Sequence, residues 1–127
     1  MHQEMHDEYY QEQALSKLNG KWFINQVYDM EIDTTQFEGK QPLMSIDLKK
    51  GSLNGNDGCN LFQGKVSVKK NKIIYGPIAG TLMACPNMEI SRKIMASFNE
   101  KELTYVLNDV LTLYEGDQQV MLLKRAE

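Results

Sequence analysis

Few groups in this chain have chemistry beyond packing: Cys59 and Cys85, His2 and His6, and a run of Asn, Asp and Gly between residues 51 and 64. A cysteine nucleophile needs a base, usually histidine, to raise its thiolate fraction. Both histidines precede residue 7, so neither cysteine has a histidine within the body of the chain. Serine catalysis lacks the same base, and the patterns G-x-S-x-G, G-x-x-x-x-G-K-[ST] and G-x-G-x-x-G are absent. His2 and His6 stand four apart, the spacing that places two imidazoles on one helical face, with Glu4 and Asp7 beside them. The run is not H-E-x-x-H and reads as a solvated tail. Asn54, Asn56 and Asp57 before Gly58 resemble part of a calcium loop, which needs Gly at position 6 and Glu at position 12. With Gly58 at position 6, Leu53 falls on position 1 and Gly64 on position 12, so a tight turn is expected. These residues predict no catalytic group, no cofactor and no metal, and the chain reads as non-enzymatic.

The cysteines sit in turn-like settings, Gly58-Cys59-Asn60 and Ala84-Cys85-Pro86. A bridge between them would close a loop of about 27 residues, worth roughly 3.5 kcal/mol by the chain-entropy relation. Two separate buried thiols fit the same residues, and the redox compartment decides between the two.

The elements that must position these groups are mostly strands. Leu18-Asn19-Gly20 signals a turn into a strand at 21–28. Met44, Ile46 and Leu48 alternate with Ser45, Asp47 and Lys49, the period-two pattern of a half-buried strand. Gly51 breaks that pattern, and Asn54-Gly55 and Asp57-Gly58 read as turn residues. Residues 65–69 and 72–75 form a hairpin about Lys70-Asn71, and residues 103–107, 111–113 and 119–124 add three more strands. Between them lies an amphipathic helix at about 88–99, capped by Asn87. Its Ile90, Ile94 and Phe98 share one face, with Met88 and Met95 at the side; Arg92, Lys93 and Ser97 lie opposite. The methionines read mostly as core filler. Turn signals every 8–12 residues or so favour an antiparallel sheet curling into a barrel or sandwich. The fold class is therefore α+β and β-rich, with a helical or loosely docked lead-in at 1–17 and one domain at 18–127.

The chain has 127 residues, 42% hydrophobic and 24% charged, with 17 acidic and 14 basic side chains and a net charge of −3. That length suits one domain with one core, and the acidic balance argues against nucleic acid as a partner. The N-terminal segment has no basic start and no apolar run of signal-peptide length, and no stretch approaches the roughly 18 apolar residues of a spanning helix.

The run from Gly51 to Gly64, with Gly55, Gly58, Cys59, Asn60 and Gly64, resembles the G-x-x-G-C-N-x-x-x-G signature of the META domain, the family of the HslJ heat-shock lipoproteins. Thr81-Leu82-Met83-Ala84-Cys85 is similar to its T-x-M-A-C segment, Leu18-Asn19-Gly20-Lys21-Trp22 to its L-x-G-x-W opening, and Leu111-Thr112-Leu113 to its closing L-x-L strand. The likeness covers about residues 18–125. It implies a META-type fold and a stress-related protein of the bacterial periplasm or outer membrane, often a lipoprotein. The envelope setting implies a Cys59–Cys85 bridge. Gly55, Gly58 and Gly64 are read as positions of positive φ or close backbone approach, and Asn60 and Thr81 as side chains bonding local backbone. The implied partner is an envelope protein. The alternative is a carrier with a small apolar ligand inside a barrel. Membrane association is expected only through a lipid anchor.

Overall fold

Period-two alternation builds the walls of this fold. In β5 (Leu61–Lys69), Phe62, Val66 and Val68 are buried while Leu61, Gln63, Lys65 and Ser67 are exposed. The same rule sends Trp22 and Ile24 inward from β1 (Gly20–Val27), with Val27 regaining that face after a bulge at Asn25, and Met44 and Ile46 inward from β3 (Leu43–Asp47). Ile73 and Tyr75 point inward from β6 (Lys72–Gly80). The computed structural model describes residues 12, 17–33, 40–86 and 88–126. Among these, the remaining elements are β2 (Met30–Glu31), β4 (Ser52–Asn56), α1 (Glu89–Phe98), β7 (Glu102–Leu107), β8 (Leu111–Glu115) and β9 (Gln118–Arg125).

Each strand from β3 to β9 pairs antiparallel with the next, and β9 returns to β1, so eight strands close into a barrel. β1 is long enough to hold two partners on one edge: Gly20–Phe23 pair with β3, while Gln26 and Val27 pair with β2. Closure requires curvature, and bulges supply it. The register shifts at Asn25 in the β1–β9 pair, at Gly76-Pro77 opposite Lys65, and at Val120 in β9. A bulge is also where a strand can hold Pro77, which has no N–H to donate.

Because the strands meander, successive turns fall at alternate ends of the barrel. The β3–β4, β5–β6 and β7–β8 turns share one rim with the start of β1 and the end of β9. The other rim carries the β1–β2 turn, the β4–β5 loop, the segment from β6 to α1, and the β8–β9 turn. Helix α1 spans this second rim. Its Phe98 meets Phe62 and Tyr75 edge-on, with ring centroids 5.3 and 5.1 Å apart, while the helix packs on β1 and β9 across the barrel. Ile90, Ile94 and Phe98 are buried as the spacing predicts. At the first rim Trp22 Nε1 donates to the Leu18 carbonyl at 2.9 Å, and the Arg125 guanidinium lies 3.9 Å from the Trp22 ring centroid. Arg125 also donates to the carbonyls of Asn19 and Lys17, which pins the chain where it enters β1.

Side chains fill the interior. The Tyr75 hydroxyl reaches across to Met44 Sδ at 3.5 Å, and burial pushes the phenol's pKa well above its ordinary value.

The structure departs from the sequence reading in several places. Asn54 and Gly55 are not turn residues but the middle of β4, paired with β3 and β5. The hairpin strands run further than expected, β5 from Leu61 and β6 to Gly80. Ser97 is buried rather than exposed, because its Oγ donates to the Ile94 carbonyl at 2.6 Å and needs no water. Met83 is 57% exposed rather than core filler. The Asn87 cap and the His2–His6 pair lie outside the described residues. So does most of the 1–17 lead-in, of which Glu12 and Lys17 are helical.

A disulfide-clamped loop pair as candidate functional site

The β4–β5 loop and the segment following β6 meet on the helix rim, and Cys59 and Cys85 join them. Their sulfurs are bonded at 2.04 Å with Cα atoms 6.0 Å apart. Met88, at the N-cap position of α1, lays its Sδ 3.6 Å from Cys59 Sγ and accepts the Cys85 N–H at 3.4 Å. The clamp therefore also fixes where the helix begins.

Asp57 shapes the first loop. Its Oδ1 accepts the N–H groups of Cys59 at 3.0 Å and Asn60 at 2.7 Å, while its own N–H donates to the Asn60 carbonyl at 3.0 Å. This is a local Asx-type turn. Gly58 allows it by taking φ +93°, and its N–H donates to Asn56 Oδ1. With its backbone satisfied locally, Asn60 turns its side chain across the gap. Asn60 Oδ1 accepts the Thr81 hydroxyl at 2.8 Å and the Met83 N–H at 2.6 Å, and Nδ2 faces the Met83 carbonyl at 3.4 Å. Thr81 Oγ1 accepts the Leu61 N–H, and the Thr81 N–H donates to the Leu61 carbonyl.

The expectation that Asn60 and Thr81 bond local backbone is corrected by this arrangement. Asp57, which the sequence reading passed over as one turn residue among several, makes the local bonds. Asn60 and Thr81 tie segments more than twenty residues apart. The signal available in sequence was the Asx-turn spacing of Asp57 to Cys59.

The other two glycines serve close approach. A Cβ on Gly55 would stand 2.0 Å from the Leu43 carbonyl oxygen, and one on Gly64 would stand 2.6 Å from Ile78 Cδ1. Neither has positive φ. All seven sequence-predicted positions thus gather on or just below one rim: Cys59, Asn60, Thr81 and Cys85 in direct contact, Gly58 beside them, Gly55 and Gly64 in the strands beneath.

Above the clamp the surface is apolar. Leu61 is 64% exposed, Met83 57%, and Leu82 fully. Two open grooves share Leu61, Gly80 and Thr81. One, of about 560 Å³, runs over the outer face of β4, β5 and β6 past Asn54 and Gln63. The other, of about 340 Å³, lies between Leu82 and the Met88, Arg92 and Met95 side of α1. The cysteines are both in the disulfide, and among the described residues no three His, Cys, Asp or Glu side chains converge as metal ligands.

The family model of the META domain matches residues 13–127, a start slightly ahead of the Leu18 opening. Two solved structures share the fold. One is an NMR structure of a protein 19% identical, with TM-score 0.67, covering 86% of this chain and 91% of that one. The other is an NMR structure of a protein from Burkholderia xenovorans, 17% identical, with TM-score 0.69, covering 90% of this chain and 87% of that one. No curated protein matches the chain.

Proposed function

The chain belongs to the META domain family, and from that premise we propose that it is a non-enzymatic protein of the bacterial envelope, acting by contact with another envelope protein. The observation that carries the reading is the clamp. A disulfide persists in an oxidising compartment such as the periplasm, and this one pins an exposed Leu61–Leu82–Met83 surface to a rigid barrel. A large apolar patch held in water marks a contact site.

The non-enzymatic reading draws support from how the polar groups of the motif are used. Asp57, Asn60 and Thr81 bond each other or nearby backbone, and the two sulfurs bond each other, so the motif consumes its own donors and acceptors. Contact is favoured over carriage because Trp22, Met44, Tyr75 and Phe98 occupy the space a barrel-bound ligand would take. A stress role, and a lipid anchor on the native protein, belong to the same proposal through the family.

Fractionation of cells producing the native protein tests the location, with recovery in the envelope fraction expected and recovery in the cytosol contradicting the reading. Site-specific photo-crosslinking from position 82 tests the contact. A discrete adduct with an envelope protein, absent when the probe stands at Ser67 on the outer wall, is the expected result. Equal labelling from both positions would remove the patch from the account.

A further inference from the structure

The meander sorts charges as it sorts turns. On the rim opposite α1, Lys21 lies near the start of β1, Lys49 and Lys50 occupy the β3–β4 turn, and Lys69, Lys70 and Lys72 surround the β5–β6 turn. Lys124 and Arg125 end β9 on the same rim, and all eight side chains are exposed. Among the described residues of the strands and turns, the acidic groups there are Asp47 and Asp109, with Glu102 on the outer wall diagonal to Lys72. The helix rim has the opposite sign. Asp29, Glu31 and Asp33 follow β1, Asp57 is in the β4–β5 loop, and Glu89 and Glu100 flank α1. Glu115 and Asp117 stand at the β8–β9 turn, and the cations facing all these are Lys40, Arg92, Lys93 and Lys101, the last paired with Glu115 at 3.0 Å. A chain of net charge −3 is therefore a strongly polarised barrel.

We propose that the lysine rim docks the barrel on an anionic phospholipid bilayer, a contact additional to the lipid anchor implied by the family and resting on the envelope reading above. The charges come from separate turns around a rim, not along one groove, so they present to a surface rather than to a strand-shaped polyanion. Seven of the eight are lysines, whose flexible stems carry point charges to many headgroups without reading any one. Phe23, 37% exposed opposite Lys124, and Val106, 47% exposed beside the β7–β8 turn, offer apolar tips to the interface, and a single ring makes no stacking platform for successive bases. Net repulsion keeps other orientations away, and the docked pose leaves the Leu61–Leu82–Met83 surface facing away from the bilayer.

Co-sedimentation of the full chain with vesicles of phosphatidylcholine, alone or mixed with phosphatidylglycerol, tests this. Binding is expected only to the mixed vesicles and should fall steeply as salt rises. At about fivefold per basic residue, K49Q with K50Q should lower partitioning roughly 25-fold. The pair K69Q with K72Q, on a different turn, should do the same. Arg92→Gln with Lys93→Gln on the helix rim should leave it unchanged, all variants having the parent circular-dichroism spectrum. Equal binding to both vesicles, salt-insensitive binding, or equal loss from the helix-rim pair would overturn the proposal. So would a single-stranded oligonucleotide bound as tightly as the mixed vesicles at the same salt. Such a failure leaves the envelope reading standing, because fractionation tests that separately.

Discussion

Replacing Asn60 with Ala removes the hub of the clamp while leaving the disulfide intact. Two good hydrogen bonds disappear, from the Thr81 hydroxyl at 2.8 Å and the Met83 N–H at 2.6 Å, together with a long one to the Met83 carbonyl at 3.4 Å. A neutral hydrogen bond contributes about 1 kcal/mol net, and more when its loss strands a buried group. Asn60 is 9% exposed, but Thr81 and Met83 lie at the surface and can recover water. The cost should therefore be about 2 kcal/mol, at the lower end for three bonds. Urea unfolding of the oxidised protein measures it, with the slope unchanged and the midpoint lowered by about 1 M at a slope of about 2 kcal/mol per M. Thr81→Ala removes the shared bond from the other side, so the double variant should cost about 1 kcal/mol less than the two singles added. A loss under about 0.5 kcal/mol for Asn60→Ala, or additive singles, would refute the bridging role.

Further outcomes follow from other parts of the barrel. Cys59→Ser with Cys85→Ser should lose about 3.5 kcal/mol in urea without altering the far-ultraviolet circular dichroism, and reduction of the parent should reproduce the shift. Gly55→Ala should cost about 2 kcal/mol or more, because its Cβ meets the Leu43 carbonyl at 2.0 Å and strand backbone cannot move aside cheaply. Gly76→Ala, whose Cβ finds only ordinary contacts beyond 3.7 Å, should fall within about 0.5 kcal/mol of the parent by thermal melting. The buried Tyr75 phenol binds its proton more tightly folded than unfolded, so it contributes no pH dependence below the ordinary phenol pKa. Above about pH 10 stability should fall as the unfolded phenol ionises, and Tyr75→Phe should flatten that fall in denaturation curves taken across the range.

The sequence made visible what is local. Alternation located the inward face of β3, and the spacing of Ile90, Ile94 and Phe98 oriented the helix. The strand β4 was hidden because it buries one large apolar side chain, Leu53; its Asn54-Gly55 pair has turn chemistry but is used here for close backbone approach. The pairing of β1 with β9 joins the two ends of the domain, and period-two alternation cannot choose between a closed barrel and an open sandwich. Asn60 was legible as important but not in its direction, since a side chain that bonds a residue 23 positions away has the same local neighbours as one that caps its own turn. The charge polarity was cancelled in the net charge and appears only once the topology assigns each turn to a rim.

The central claim is that the motif is an oxidised clamp working outside the cytoplasm, and the redox state of Cys59 and Cys85 in living cells tests it most directly. Acid quenching of cells producing the native protein, alkylation of free thiols and mass spectrometry of the Cys59 and Cys85 peptides would read that state. The account predicts both cysteines unalkylated until a reductant is added, in material recovered from the envelope. Quantitative alkylation of both before reduction would contradict it.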